Sequence, residues 1–427
     1  MTQVIGRAQL PVVETEPAQR TIYAPYMSDH AVAVRGALKR YNIPFVLLPP
    51  PNEETLAIGL DLCGGRECLP CFLATGDIIQ ACRSGQIDRA NAAFFMPAGP
   101  GPCRFGQYRI LQRVLLDREG FSDVEMISPT AENSYRGFGE HPRATRLLAW
   151  EGIVAVDLLL KLRYEFRPYE RREGVTDEAY RWGLTVIEEA VSLGGGKKLL
   201  AALERIAARF AILDVDRSTP RPVVAMLGEI YVMLNSHSNQ NIILQLEASG
   251  AEVVTGTLSE WFHFADETKM DRDELFASWG SLVGTKALSL YQRRIEHQMF
   301  ARLAHLLRHP ADPPMRKLFE MARPYFDPLL GTETLLTVGK VVDYAQNGVS
   351  GVVNVMPFSC MPGIVVTSLS ARLRQDFGQL PWLDINFDGQ KITNIRTRLE
   401  AFVHQVGQFA RTRPAGESRR THTANGH

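Results

Sequence analysis

Short apolar runs alternate with amphipathic stretches along most of this chain. In the N-terminal third, the runs that are typical of buried strands cover residues 21–25, 44–48, 92–96 and 124–127. Stretches with helical spacing of their apolar positions cover residues 30–41, 69–82 and 105–118. Because strands that alternate with helices are typical of βαβ crossovers, this third predicts a parallel sheet.

The same alternation returns after Pro222. Strands are predicted at residues 223–232, 251–254, 351–356 and 382–386, and helices at residues 239–248, 364–376 and 393–406. Between the two halves, residues 146–163 and 177–210 are strongly helical, and residues 277–326 form a largely helical insertion in the second half. The pattern therefore predicts an α/β fold with two doubly wound parallel-sheet domains and additional helices.

These elements divide the chain into five predicted parts. They are a flexible arm (1–18), a first α/β domain with most cysteines (19–145), a helical connector (146–219), a second α/β domain with the helical insertion (220–411) and a disordered tail (412–427). The first residues lack the charged-then-apolar layout of a secretory signal, and no apolar run is long enough to cross a bilayer. We therefore expect a cytoplasmic protein without membrane contact.

Composition narrows the classes of partner. The chain has 427 residues, of which 45% are hydrophobic, and its 47 basic residues equal its 47 acidic residues. A formal charge of zero gives no electrostatic reason to expect binding to nucleic acid or to an anionic membrane. Six cysteines in a chain of this length are too few for a disulfide scaffold.

Three of the cysteines share a local design. Cys68, Cys103 and Cys360 each lie in a loop rich in glycine or proline and each opens a predicted helix. Unpaired N–H groups and the helix dipole favour a thiolate there, and thiolates bind iron. Loops at the carboxyl ends of parallel strands collect ligands, and Cys103 and Cys360 both follow predicted strands. We therefore predict one iron–sulfur cluster where the two domains meet.

Other interpretations of the cysteines remain open. A free cysteine is often a small buried hydrophobe, which we favour for Cys82 and leave undecided for Cys63 and Cys71. Cys63, Cys68 and Cys71, with Cys103 further on, match the spacing of a plant-type [2Fe–2S] site. That site needs an extended loop where residues 72–74 look helical, and it leaves Cys360 out. Four thiolates could also hold zinc, although paired CxxC knuckles are missing.

Several blocks of sequence resemble a known family. They are Gly65-Arg66-Glu67-Cys68-Leu69-Pro70-Cys71 with Thr75-Gly76-Asp77, Gly101-Pro102-Cys103-Arg104-Phe105-Gly106-Gln107-Tyr108, residues 228–232 with Asn235-Ser236-His237-Ser238-Asn239, residues 357–363 around Cys360, and residues 388–399. Together they resemble proteins related to 2-hydroxyacyl-CoA dehydratase and its activase. The likeness is closest to the cysteine-bearing C-terminal region of the large CoA-activase-related proteins.

That resemblance implies an oxygen-sensitive iron–sulfur cluster, of the [4Fe–4S] or double-cubane type, on Cys68, Cys103 and Cys360, with Cys71 as a further candidate ligand. It also implies a separate ATP-hydrolysing activase that delivers a low-potential electron. The chain has no ATP-binding half, because Gly194-Gly195-Gly196-Lys197-Lys198 lacks the spacing and the Ser or Thr of a P-loop. We expect a helix–helix turn at those glycines.

The implied function is a difficult reduction or dehydration of an acyl-CoA or another small molecule, in a homodimer or heterodimer. Two alternatives stay open, a non-catalytic electron-carrier or scaffold subunit and a zinc-stabilised structural protein. Further candidate residues flank the proposed ligands or face the same sheet edge: Arg66, Glu67, Arg104, Tyr108, Asn235 and His237. Arginine beside a cluster raises its reduction potential, but salt bridges and a helix cap at Ser238 would explain these residues as well.

Overall fold

Two sheets of four parallel strands form the framework of the protein. The computed structural model describes residues 20–99, 103–130, 135, 137–330 and 332–412. The first sheet contains β1 (Thr21–Ala24), β2 (Phe45–Leu47), β3 (Ala92–Phe95) and β4 (Glu125–Ile127), in the order β2-β1-β3-β4. The second contains β5 (Val223–Gly228), β6 (Glu252–Thr255), β7 (Gly351–Pro357) and β8 (Trp382–Phe387), in the order β6-β5-β7-β8. The predicted fold class is confirmed.

Helices cover both sheets and connect them. The first half contains α1 (Ala31–Arg40), α2 (Glu53–Leu62), α3 (Leu69–Arg83) and α4 (Tyr108–Arg118). Between the sheets lie α5 (Pro142–Phe166), α6 (Val175–Ser192) and α7 (Lys197–Ala211). The second half contains α8 (Ile230–Leu234), α9 (Ile242–Ala248), α10 (Leu258–Leu275), α11 (Trp279–Leu303), α12 (Met315–Ala322), α13 (Thr334–Gln346), α14 (Met361–Asp376) and α15 (Ile395–Thr412). One 3₁₀ turn, Arg104–Gln107, leads into α4.

The predicted strand at residues 223–232 is too long. β5 ends at Gly228, whose φ of 134° suits glycine, and a Cβ there would lie 1.9 Å from the Val355 carbonyl oxygen. The Glu229 carboxylate then accepts a hydrogen bond of 2.9 Å from the Val232 N–H, and α8 begins. The apolar run therefore changes from strand to helix without a change in hydrophobicity, so periodicity could not locate the boundary.

The structure adds three helices, α2, α10 and α13, that the apolar pattern did not predict. Helices α2 and α10 each begin with a capping box, at Asn52 with Thr55 and at Thr257 with Glu260. In each box the two side chains satisfy backbone N–H groups that the first helical turn leaves free. The capping residues were the sequence signal for both helices.

Helix α5 lies between the two sheets. Eighteen of its 25 residues are buried, which is typical of a helix that packs on all sides. It contacts α1 and α6 on the side of the first sheet and β6, α10 and α11 on the side of the second. The predicted turn at Gly194 to Gly196 joins α6 to α7, with positive φ angles of 107°, 62° and 55°.

Helices α2 and α3 cross at very short range through two glycines. A Cβ on Gly59 would lie 2.0 Å from the Phe72 carbonyl oxygen, and a Cβ on Gly76 would lie 1.7 Å from the Thr55 carbonyl oxygen. Only a hydrogen atom fits in these positions. Because α3 begins directly after Cys68, this crossing fixes the first cysteine loop on the domain.

The predicted arm at residues 1–18 lies outside the described residues. Of the predicted tail at residues 412–427, only Thr412 is described, and it is the last residue of α15. Within the described part of the chain, no helix combines the length and the apolar character that crossing a membrane requires.

We predict that Gly76→Ala lowers the free energy of unfolding by about 1–3 kcal/mol, because the new methyl group forces the two helix backbones apart. Chemical denaturation measures this change. Gly284→Ala in α11 is the matched control, since a Cβ there meets no atom within 4 Å. That variant should be stabilised by about 0.5–1 kcal/mol through helix propensity. Equal stability of the two variants would contradict the close crossing.

Candidate metal centre

Each of the three predicted ligands is the residue directly before a helical segment. Cys68 precedes α3, Cys103 precedes the turn Arg104–Gln107, and Cys360 precedes α14, and all three have extended backbone angles. Burial raises the pKa of each thiol, and a hydrogen bond from a backbone N–H of the following turn offsets part of that rise. The shared local design that the sequence predicts is present at all three positions.

The Arg104 side chain connects the three cysteine loops. Its guanidinium donates one hydrogen bond to the Arg66 carbonyl oxygen, two residues before Cys68, and another of 3.0 Å to the Ser359 carbonyl oxygen, directly before Cys360. Arg104 itself follows Cys103. Residues 104 and 359 are 255 positions apart in sequence, so this contact joins the first domain to the second. The three loops therefore lie together at the interface of the domains.

Burial dominates the charge state of the three thiols. It raises the pKa of Cys103 and of Cys360 to about 12 each, and it also raises the pKa of Cys68. The helix N–H groups favour the thiolate, as the sequence predicts, but they offset only part of this effect. A bound cation must displace the protons, which is the usual coupling of metal binding to thiol ionisation.

Tyr108 contacts one of the predicted ligands directly. Its hydroxyl is 2.5 Å from the Cys68 sulfur atom, and burial raises its own pKa well above the usual value. A protonated tyrosine beside a thiolate donates a hydrogen bond to the sulfur. Glu67 accepts a 3.0 Å hydrogen bond from the Arg66 N–H on the exposed side of the same loop.

Of the remaining cysteines, Cys71 packs with Cys68 and Tyr108, whereas Cys63 and Cys82 belong to other apolar clusters. The Cys71 side chain is fully buried and is hydrogen-bonded to Cys63, a contact that raises the pKa of Cys71 and lowers that of Cys63. Cys82 packs in an apolar core with Ile78 and Ile79, as we favoured. Across the described ranges, no group of three or more Cys, His, Asp or Glu side chains is arranged to hold a single metal ion. The ligands of a cluster bind separate iron atoms, so their sulfur atoms lie further apart than those of a mononuclear site.

The hydrogen bonds that Asn235 makes in the described part of the chain join other segments than the three cysteine loops. Asn235 is buried between the domains, where its amide nitrogen lies 3.3 Å from the Tyr26 carbonyl oxygen and its amide oxygen accepts the Ser238 N–H at 2.9 Å. His237 lies near Glu53, and burial lowers its pKa. Helix α9 begins only at Ile242, so Ser238 does not cap it.

A cavity of about 1080 Å³ lies between the carboxyl edges of the two sheets, and Cys103, Cys360 and Tyr108 line it. Aromatic residues form much of its wall, namely Phe95, Phe105, Phe138, Trp150, Trp261 and Phe262. Cationic side chains of α4, α5 and α10 also border it, namely Arg109, Arg146, Lys269 and Arg272. The cavity combines apolar walls with a few charged groups, as ligand sites do.

Sequence reasoning missed two half-buried carboxyl groups of the cavity wall, Glu229 and Glu333, which both raise the pKa of Cys103. Burial raises the pKa of Glu229 to about 7, and the charge of Glu229 in turn raises the pKa of Cys103 and of Cys360. Burial also raises the pKa of Glu333, whose Oε2 has no hydrogen-bond partner among the described residues. Glu229 directly follows β5, as the Cys360 loop follows the neighbouring β7, and this shared sheet edge was the available sequence signal.

Comparison with protein-family models and with curated proteins finds no match for this chain. The family resemblance therefore depends on the sequence blocks alone.

We predict that iodoacetamide alkylates Cys103 and Cys360 of the folded, metal-free protein only slowly at pH 8. A pKa near 12 leaves a thiolate fraction about 10³-fold smaller than that of an ordinary cysteine. Peptide mapping by mass spectrometry measures both rates, and urea-unfolded protein is the control. Alkylation of either residue in native protein as fast as in unfolded protein would contradict the burial of these thiols.

We also predict that Arg104→Gln separates the three loops and lowers the iron bound per chain at least about twofold, because two charge-assisted hydrogen bonds are lost. Iron analysis after identical anaerobic reconstitution measures this. Arg66→Gln is the matched control, since Arg66 contributes its backbone carbonyl oxygen to the contact. Equal losses in both variants would mean that surface charge, rather than the Arg104 contacts, is responsible.

Proposed function

We propose that this protein holds an iron–sulfur cluster on Cys68, Cys103 and Cys360, and that it is related to components of 2-hydroxyacyl-CoA dehydratases. A separate ATP-hydrolysing activase supplies low-potential electrons, which the protein uses for a difficult reduction or dehydration. One observation carries this proposal. Three cysteines, each at the start of a helical segment and joined by Arg104, meet beside a cavity large enough for a small organic molecule.

The donor set fits such a cluster. Thiolates are the preferred protein ligands of iron–sulfur clusters, and three of them leave one iron of a [4Fe–4S] cluster open. When bound, the cluster would supply one-electron chemistry at low potential. Cys71 is a weaker candidate for a further ligand, because its side chain is hydrogen-bonded to Cys63.

The surrounding residues would tune the bound group. The Tyr108 hydroxyl would donate a hydrogen bond to the Cys68 sulfur, and the Arg104 guanidinium would place a positive charge beside the three loops. Both effects stabilise added negative charge and raise a reduction potential. The half-buried position of the thiols would limit the access of water to the ligand bonds.

The cavity supports a catalytic role rather than electron transfer alone. A carrier subunit needs no internal space of about 1080 Å³ beside its cluster. Reductions and dehydrations move protons as well as electrons, and Glu229, with a pKa of about 7, can hold or release a proton near neutral pH. Cationic groups such as Arg109 and Arg146 suit the anionic part of a substrate, for example the phosphates of an acyl-CoA.

The unpaired state of all six cysteines suits a reducing compartment, so we place the protein in the cytoplasm. We further propose that it acts with a second subunit, in a homodimer or a heterodimer, as the family resemblance implies.

We predict that protein purified without oxygen contains iron and acid-labile sulfide, and that its reduced form has the electron paramagnetic resonance signal of a cluster. Cys68→Ala, Cys103→Ala and Cys360→Ala should each lose most of the iron, because each removes one ligand. Cys82→Ala is the control and should retain it, since Cys82 packs in an apolar core.

Stoichiometric zinc without sulfide would contradict the cluster and favour the structural alternative. If the cluster is present, ATP and an activase should reduce it, and omission of ATP should abolish this reduction. A cluster that accepts electrons without ATP would instead indicate a carrier that another donor supplies.

A further inference from the structure

A serine, a histidine and an aspartate form a hydrogen-bonded chain beside the cavity. Ser28 Oγ lies 3.1 Å from His30 Nδ1, and His30 Nε2 lies 2.8 Å from Asp157 Oδ1. All three side chains are buried, and Ser28 and His30 line the cavity. The proposed function uses none of them.

The aspartate is held rigidly in its role as an acceptor. Besides His30, its Oδ1 accepts the Leu258 N–H at 2.9 Å, and its Oδ2 accepts the Ser259 N–H at 2.9 Å. These two N–H groups belong to the first turn of α10, where the helix dipole also favours a negative charge. The Asp157 carboxylate can only accept hydrogen bonds, so the proton of the neutral His30 ring lies on Nε2 and is donated to Asp157.

The tautomer of the histidine follows from this arrangement. When the neutral ring donates Nε2–H to Asp157, its Nδ1 carries a lone pair and accepts the Ser28 hydroxyl proton. The serine oxygen then has its own lone pairs free to act on a ligand in the cavity. A hydroxyl that donates to a base, which a carboxylate orients in turn, is the arrangement of an activated nucleophile.

We propose that Ser28 is the nucleophile of an acyl-transfer site, with His30 as the general base and Asp157 as the residue that positions it. The substrate class is an ester or thioester with an apolar acyl group, because Val34, Phe45 and Phe95 line the same cavity. This activity goes beyond the proposed function and does not depend on the cluster.

The step balances without a further reactant except water. Ser28 Oγ attacks the acyl carbon while His30 Nδ1 takes the hydroxyl proton, and the same proton leaves with the departing alcohol or thiol. Water then attacks the Ser28 ester with His30 again as the base, which releases the carboxylic acid and restores the hydroxyl. No electron is transferred.

The test uses the full chain with a fluorophosphonate probe, from which an activated serine displaces fluoride, and with 4-nitrophenyl butyrate. We expect the probe to label Ser28 in the folded protein, as peptide mass spectrometry locates it. Ser28→Ala should abolish labelling and reduce ester hydrolysis at least tenfold, and His30→Gln should slow labelling about 100-fold. Ser236→Ala, at an exposed serine, is the control and should behave as the unmodified chain does.

Asp157→Asn tests the positioning role. With the wrong tautomer favoured, labelling should slow at least tenfold, and kcat for 4-nitrophenyl butyrate should fall by a similar factor while KM stays unchanged. Thermal melting identifies variants that fail to fold. The unmodified chain tests the proposal without any variant, because absence of label on Ser28 in the folded protein would overturn it. A labelling rate that stays the same in folded His30→Gln protein would also overturn it.

Discussion

The candidate centre depends on the two hydrogen bonds that the Arg104 guanidinium donates. The guanidinium accounts for the proximity of three loops that begin at different elements, because its donors bind the carbonyl oxygens of Arg66 and Ser359 at once. A planar guanidinium presents its donors in fixed directions, so it sets the relative position of the two acceptors as well as their distance. The loops of Cys68 and Cys360 therefore cannot shift independently of Cys103 without the loss of these bonds.

Topology explains why chemistry collects here. Both sheets have the same strand order, so each has a switch point, between β1 and β3 in the first and between β5 and β7 in the second. Four loops leave the carboxyl ends of these strands, and they carry Ser28, Cys103, Glu229 and Cys360. The two sheets face each other across the cavity that these loops line. Each domain thus contributes two of the four loops, and neither domain forms the cavity alone.

Features that depend on local sequence, such as strands, helices and loop composition, were predictable from the sequence. Features that depend on burial, or on contacts between residues distant in sequence, were not. Alternating runs and loop composition were enough for the two sheets and for the helical context of Cys68, Cys103 and Cys360. The rise in the pKa of Cys103 and Cys360 was not predictable from the sequence, because desolvation acts only once both domains cover the thiols. Asp157 lies within a long apolar helix, 127 positions from His30, so only the tertiary fold reveals their contact.

Polar groups of fixed geometry, rather than apolar packing alone, set the interface that shapes the cavity. The Asp157 carboxylate binds His30 of the first domain and the first turn of α10 in the second. A buried carboxylate that lost one of these partners would carry an uncompensated desolvation cost, so its bonds strongly favour one arrangement of the domains. Asn235 adds a bond from the second domain to the backbone that follows β1. Hydrogen bonds have narrow ranges of distance and angle, whereas apolar surfaces can slide. The buried polar contacts therefore fix the cavity between the two switch points at one width.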